Sequence, residues 1–99
     1  MRQIAVRALQ SNQDRLVVLA EAVRKAGRGG LDELQRSNAM DVAHQLVGSA
    51  GTFGYSRVSQ LARRLEHFFR DPDVDPAMVA AATEQIALMQ QDLQGEPDD

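Results

Sequence analysis

Residues 43–55 read AHQLVGSAGTFGY: a histidine, His44, followed by glycines at every third position, Gly48, Gly51 and Gly54. Apolar residues in and before this stretch recur with helical spacing: Leu31, Ala39, Val42, Leu46, Ala50 and Phe53. A glycine inside a helix costs about 1 kcal/mol relative to alanine, so two of them in an otherwise regular helix require a reason. At about 100° per residue, the apolar positions gather opposite His44, which is therefore expected to point away from the core. Gly48, four residues on, and Gly51, seven residues on, share the histidine's face. Met40 and Val47 flank it. The face then carries one imidazole, two absent side chains and two apolar residues, which leaves room for something large to approach the ring. Gly54 comes at the end of the helical pattern and is expected to supply a left-handed C-cap.

Working outward, the chain divides at Gly27, Gly29 and Gly30, at Gly54, at Asp71-Pro72-Asp73, and at Gly95-Glu96-Pro97. Residues 4–26 carry Ile4, Leu9, Leu16, Leu19, Val23 and Ala26 close to one stripe. Residues 31–53 form the second helical segment. Residues 56–70 give the clearest stripe, Val58, Leu61, Ala62, Leu65, Phe68 and Phe69, with Ser56 expected as N-cap. Residues 76–94 carry Val79, Ala82, Ile86, Met89 and Leu93, and Asp75-Pro76 suits an N-cap and first helical residue. No segment alternates as a half-buried strand does. Four amphipathic helices with short connections predict an all-α fold, an antiparallel up-down-up-down four-helix bundle over residues 1–94. The residues GEPDD, 95–99, read as an acidic flexible tail.

Ninety-nine residues suffice for one small core. The net charge of -3 and the 4% aromatic content speak against nucleic-acid binding. Without cysteine there is no disulfide, thiol chemistry or thiolate metal site. No apolar run approaches the roughly 18 residues that span a membrane, and the first residues lack a signal-peptide pattern, so a cytoplasmic location is expected.

With His44, Gly48, Ser49, Ala50, Gly51 and Gly54 in this spacing, and LARRLE at 61–66, the chain resembles the histidine-containing phosphotransfer domains of bacterial two-component phosphorelays. The local match spans about residues 40–70, and the four-helix pattern extends it along the chain. The resemblance implies that His44 accepts a phosphoryl group on Nε2 from a receiver-domain aspartate, or within a histidine-kinase system, and passes it to another receiver. An imidazole keeps a nitrogen lone pair available at neutral pH, as that role requires. The chain has no Walker-type loop and no acidic cluster suited to Mg²⁺. It is therefore expected to be no enzyme, with no cofactor or metal of its own, the Mg²⁺ and catalytic groups residing on the receiver. The implied partners are receiver domains of response regulators or a hybrid histidine kinase, and the chain is expected as a monomer or as a module of a larger protein.

The resemblance also places Glu66 where the family has a residue that supports the histidine. It is expected to reach Nδ1, fixing the tautomer that leaves Nε2 nucleophilic; alternatively it pairs with Arg63 or Arg70 on the surface. Such domains commonly carry a lysine three residues after the histidine, and here that position is Val47. Arg63 or Arg64 is then the expected substitute to meet the phosphoryl group, and helical angle alone does not choose between them. Met40, Val47, Gly48, Gly51 and Arg63 are the expected receiver-docking residues. His67, at the edge of the core stripe, reads as a surface or boundary residue; a metal site with His44 and Glu66 is not expected, because adjacent helical residues point about 100° apart. Two alternatives stand beside phosphotransfer: a docking or scaffold module of the same fold that binds a receiver or kinase without transfer, and an unrelated helical dimerisation domain.

Overall fold

The computed structural model describes residues 2–98, with side chains from Val6 onward; Met1, Asp99 and the side chain of Ile4 lie outside it. Four helices follow in order, α1 (Arg2–Arg28), α2 (Glu33–Thr52), α3 (Ser56–Arg70) and α4 (Pro76–Leu93). Each packs closely against two others around the ring, α1 on α2, α2 on α3, α3 on α4 and α4 on α1. This is the expected antiparallel bundle.

The core is filled from one stripe of each helix. Leu16, Leu19 and Val23 come from α1, and Ala82, Ile86, Met89 and Leu93 from α4. All six stripe residues expected on α3 are buried, and its two phenylalanine rings meet edge to face at 5.1 Å. On α2 the buried set is Ala39, Ala43, Leu46 and Ala50. Val42 and Phe53, expected within that stripe, are only partly buried. Ala43 takes their place, which turns the inward face of α2 by about 30° from the expected direction. Met40 and Val47 are thereby drawn to the edge of the core and are half-buried rather than exposed.

The helix ends follow from specific side chains. Asp32 caps α2 through a capping box: its carboxylate accepts from the Gln35 N–H at 2.7 Å, and its own N–H donates to Gln35 Oε1 at 3.1 Å. Asp75 caps α4 by accepting from the Met78 N–H at 2.8 Å, with Pro76 as the first helical residue. The α1 helix runs through Gly27, past the expected break. A Cβ there would come within 3.2 Å of Val79 Cγ1, so the missing side chain admits α4. At the end of α2, Gly54 adopts φ 87. Its N–H donates to the Gly51 carbonyl, and the Tyr55 N–H to the Ala50 carbonyl at 2.8 Å. These two bonds make a Schellman C-cap, as the sequence led one to expect of Gly54.

The start of α3 differs from expectation. Ser56 is the first helical residue, and Tyr55, the N-cap, offers no side-chain acceptor. The acceptor comes from the far end of the chain. Asp98 takes hydrogen bonds from the Ser56 N–H and hydroxyl, each at 2.8 Å, and from the Arg57 N–H at 3.3 Å. The Asp98 N–H donates to the Gly54 carbonyl at 3.0 Å, and the Tyr55 hydroxyl donates to the Gly95 carbonyl. Up to residue 98, the segment expected as a flexible tail is thus laid against the foot of the bundle. The unfilled N–H groups of a helix start attract a carboxylate for the reason any N-cap does.

Candidate functional site

The long facing surfaces of α2 and α3 position the site. Three cross-helix contacts run along this seam. Arg36 donates to the Arg70 carbonyl at 3.1 Å, His44 meets Glu66, and the Ser59 hydroxyl donates to the Val47 carbonyl at 2.7 Å. Ser59, Arg63, Glu66 and Arg70 fall within about 60° of one another around α3 and so form its rim along α2. Sequence reading did not single out Ser59; its position one and then two turns before Arg63 and Glu66 on that rim was the available signal.

His44 stands on the exposed side of α2 with its side chain 75% accessible. The Glu66 carboxylate lies against Nδ1, at 3.2 Å through Oε2 and 3.4 Å through Oε1. Glu66 is itself only 20% exposed and has Arg70 at 3.9 Å from the same Oε2. A carboxylate only accepts hydrogen bonds, so the contact favours the tautomer with its proton on Nδ1. Nε2 then keeps its lone pair.

The two helical glycines prove unlike each other. A Cβ at Gly48 would meet nothing within 4 Å, so that glycine opens space to solvent beside the histidine. A Cβ at Gly51 would sit in ordinary contact with Ser59 Oγ at 3.4 Å, so a side chain there would face α3 rather than open space. The Thr52 hydroxyl bonds back to the Gly48 carbonyl at 2.9 Å, one turn further along. Of the other expected docking residues, Met40 and Val47 pack partly into the core and Arg63 is exposed on the rim. Arg64 lies about 100° round α3 from Arg63. It lines the α3–α4 groove with His67, Phe68 and Met78, away from His44. His67 is exposed there, as expected. The groove with a volume near 310 Å³ is elsewhere, at the foot, lined by Tyr55, Arg57, Asp92 and Asp98.

An exposed imidazole in contact with a carboxylate thus stands beside an open stretch of helix on a four-helix bundle. The chain belongs to the Hpt domain family. That family's model matches residues 3–96, nearly the whole sequence. Among curated proteins it is similar to protein RcaC of Microchaete diplosiphon, 28% identical over 81 residues. That match covers 81% of this chain but only 12% of the relative, so the chain spans about an eighth of the length of the protein it matches. No solved structure matches it significantly. Hpt domains are helical phosphocarriers of two-component relays that interact with receiver domains. Among the described residues, no helix is long and apolar enough to cross a membrane.

Proposed function

We propose that this Hpt domain carries a phosphoryl group on His44 Nε2, accepting it from a receiver aspartate and delivering it to another receiver. The observation that carries the reading is the His44–Glu66 contact on an open face: Nδ1 is engaged at 3.2 Å while the ring as a whole stays exposed. In the transfer, the Nε2 lone pair attacks phosphorus in line with the aspartyl oxygen. The N–P bond forms as the P–O bond breaks, and the electron pair leaves with the aspartate carboxylate. The Nδ1 proton remains in place, and the positive charge that develops on the ring falls beside the Glu66 carboxylate. Nothing on this chain need activate the leaving group. Mg²⁺ and the remaining catalytic groups belong to the receiver, so this chain acts as carrier rather than enzyme. Gly48 supplies clearance for the receiver, and Met40, Val47, Gly51 and Arg63 border the approach. The receivers themselves belong to response regulators or a hybrid kinase.

The second reading, a docking module that binds a receiver without transfer, draws on Val47, which puts no cation on α2 beside the histidine. Incubating the domain with receivers phosphorylated on aspartate separates the two. Loss of label from a receiver with its appearance on His44 is the expected result. Receiver binding without movement of label would leave the docking reading in its place.

A further inference from the structure

A phosphoryl group on His44 would bring about two negative charges to an exposed position, and α2 offers nothing to balance them. Within two turns of His44 the only charged residue on that helix is Asp41, an anion. Arg36, eight residues back, is engaged with Glu33 at 2.9 Å and with the Arg70 carbonyl. The countercharge must come from the α3 rim, where Arg63 and Arg70 flank Glu66. Arg70 is the one that the geometry ties to the histidine. Its guanidinium lies 3.9 Å from Glu66 Oε2, the oxygen that is 3.2 Å from His44 Nδ1. Side chains on a helix lean toward its N-terminus, which carries Arg70 toward Glu66 and carries Arg63 toward Ser59, away from the ring.

We infer that Arg70 is the phosphoryl-binding cation of this domain: loosely held by Glu66 before transfer, it moves to the phosphoryl oxygens once His44 is phosphorylated. The inference rests on the phosphocarrier reading. Its logic is an exchange of partners. Before transfer, Glu66 is shared between the neutral imidazole and Arg70. After transfer, the ring with its Nδ1 proton is cationic and claims Glu66 fully, while the new anion draws the guanidinium. A pair at 3.9 Å, with the arginine 58% exposed, is free to make that exchange. Guanidinium geometry suits two phosphoryl oxygens at once. The charged groups around the phosphoryl position are Asp41 and Arg36 on α2 and Arg63, Glu66 and Arg70 on α3.

The test is the ³¹P titration of the phosphohistidine, formed with phosphoramidate as donor, in wild type, Arg70→Gln, Arg70→Lys, Arg63→Gln and Arg64→Gln. The phosphoryl titration midpoint in Arg70→Gln is expected above that of wild type by roughly half a unit, a modest value because the site is exposed. The difference should shrink in molar salt. Arg70→Lys should recover part of it, and Arg64→Gln should titrate as wild type. Uptake of phosphoryl by every variant with no shift in Arg70→Gln overturns the inference, as does a shift confined to Arg63→Gln. No uptake by wild type from either phosphoramidate or a phosphorylated receiver overturns the phosphocarrier reading itself.

Discussion

The histidine face and the foot of the bundle lie within three helical turns of each other and are built on opposite terms. At the foot, polar groups are closely paired. Asp98 satisfies the start of α3 with three bonds, and Arg57 joins α4 through a bidentate pair with Asp92, both bonds at 2.6 Å. At the face, His44 makes one contact of 3.2 Å and has empty space beside Gly48. Polar contacts are thus concentrated at the foot, and the His44 ring is left with little cover. The glycines repeat the contrast on a smaller scale: a side chain at Gly51 would meet Ser59, whereas one at Gly48 would meet open space.

The comparison breaks first in the core that both regions share. Leu65 is fully buried in α3, and Leu65→Ala should cost about 2–5 kcal/mol in chemical denaturation. Phosphoryl uptake, measured at a temperature where the variant is still folded, should be unchanged. A large loss of uptake in the folded variant would mean that core and face are not separable.

Gly48→Gln should reverse that pattern. The new side chain meets no protein atom, so the melting temperature should hold or rise slightly, by the roughly 0.5–1 kcal/mol that a helical glycine costs. Transfer from a phosphorylated receiver should slow at least about tenfold, equivalent to about 1.4 kcal/mol at the barrier. Uptake from a small donor should be little affected. Gly51→Gln should gain less stability than Gly48→Gln, since its side chain starts against Ser59, whose hydroxyl holds the Val47 carbonyl, while Gly51→Ala should be accommodated. Equal behaviour of the two Gln variants would erase the distinction between access and packing.

Glu66→Ala should retain the fold and slow uptake severalfold, with ¹⁵N NMR of the His44 ring showing a larger share of the Nε2–H tautomer. An unchanged tautomer ratio would leave Glu66 with no orienting role.

The smallest effect belongs to the foot. The Ser56 hydroxyl first, and the Ser56 and Arg57 N–H groups with it, hold the Asp98 carboxyl below its ordinary value of 3.8. A group depressed on folding stabilises the native state fully above that ordinary value and loses the contribution as pH falls through the lower folded one. Wild type should therefore melt slightly above Asp98→Asn at pH 7, with the gap closing in strong acid. Phosphoryl uptake should be the same in both. A gap independent of pH would remove the carboxylate from the account of the foot.

The sequence announced the face more fully than the foot, for physical reasons. Helical periodicity and the Asp75-Pro76 and Gly54 signals are local, so α3 and α4 and the C-cap of α2 could be read directly. His44 and Gly48 could be placed on one face because both lie on one helix. The partnership of His44 with Glu66 came from the family resemblance, since no periodicity joins residues on different helices. The capping box at Asp32 and Gln35 was legible as a spacing and passed unremarked. Ala43 was missed because small residues weigh little against Val42 in a hydrophobic stripe, yet a close α2 interface selects them. Asp98 could not be found at all: it caps a helix 42 residues away in the chain, and a tail of Gly, Glu, Pro and Asp carries the composition of a free end.

The most direct measurement of the central claim is intact mass and ³¹P NMR of wild type and His44→Gln after treatment with phosphoramidate. The account predicts one acid-labile phosphoryl group on wild type and none on the variant, with equal melting temperatures. A phosphoryl group that persists in folded His44→Gln would contradict it, because the acceptor would then lie elsewhere on the chain.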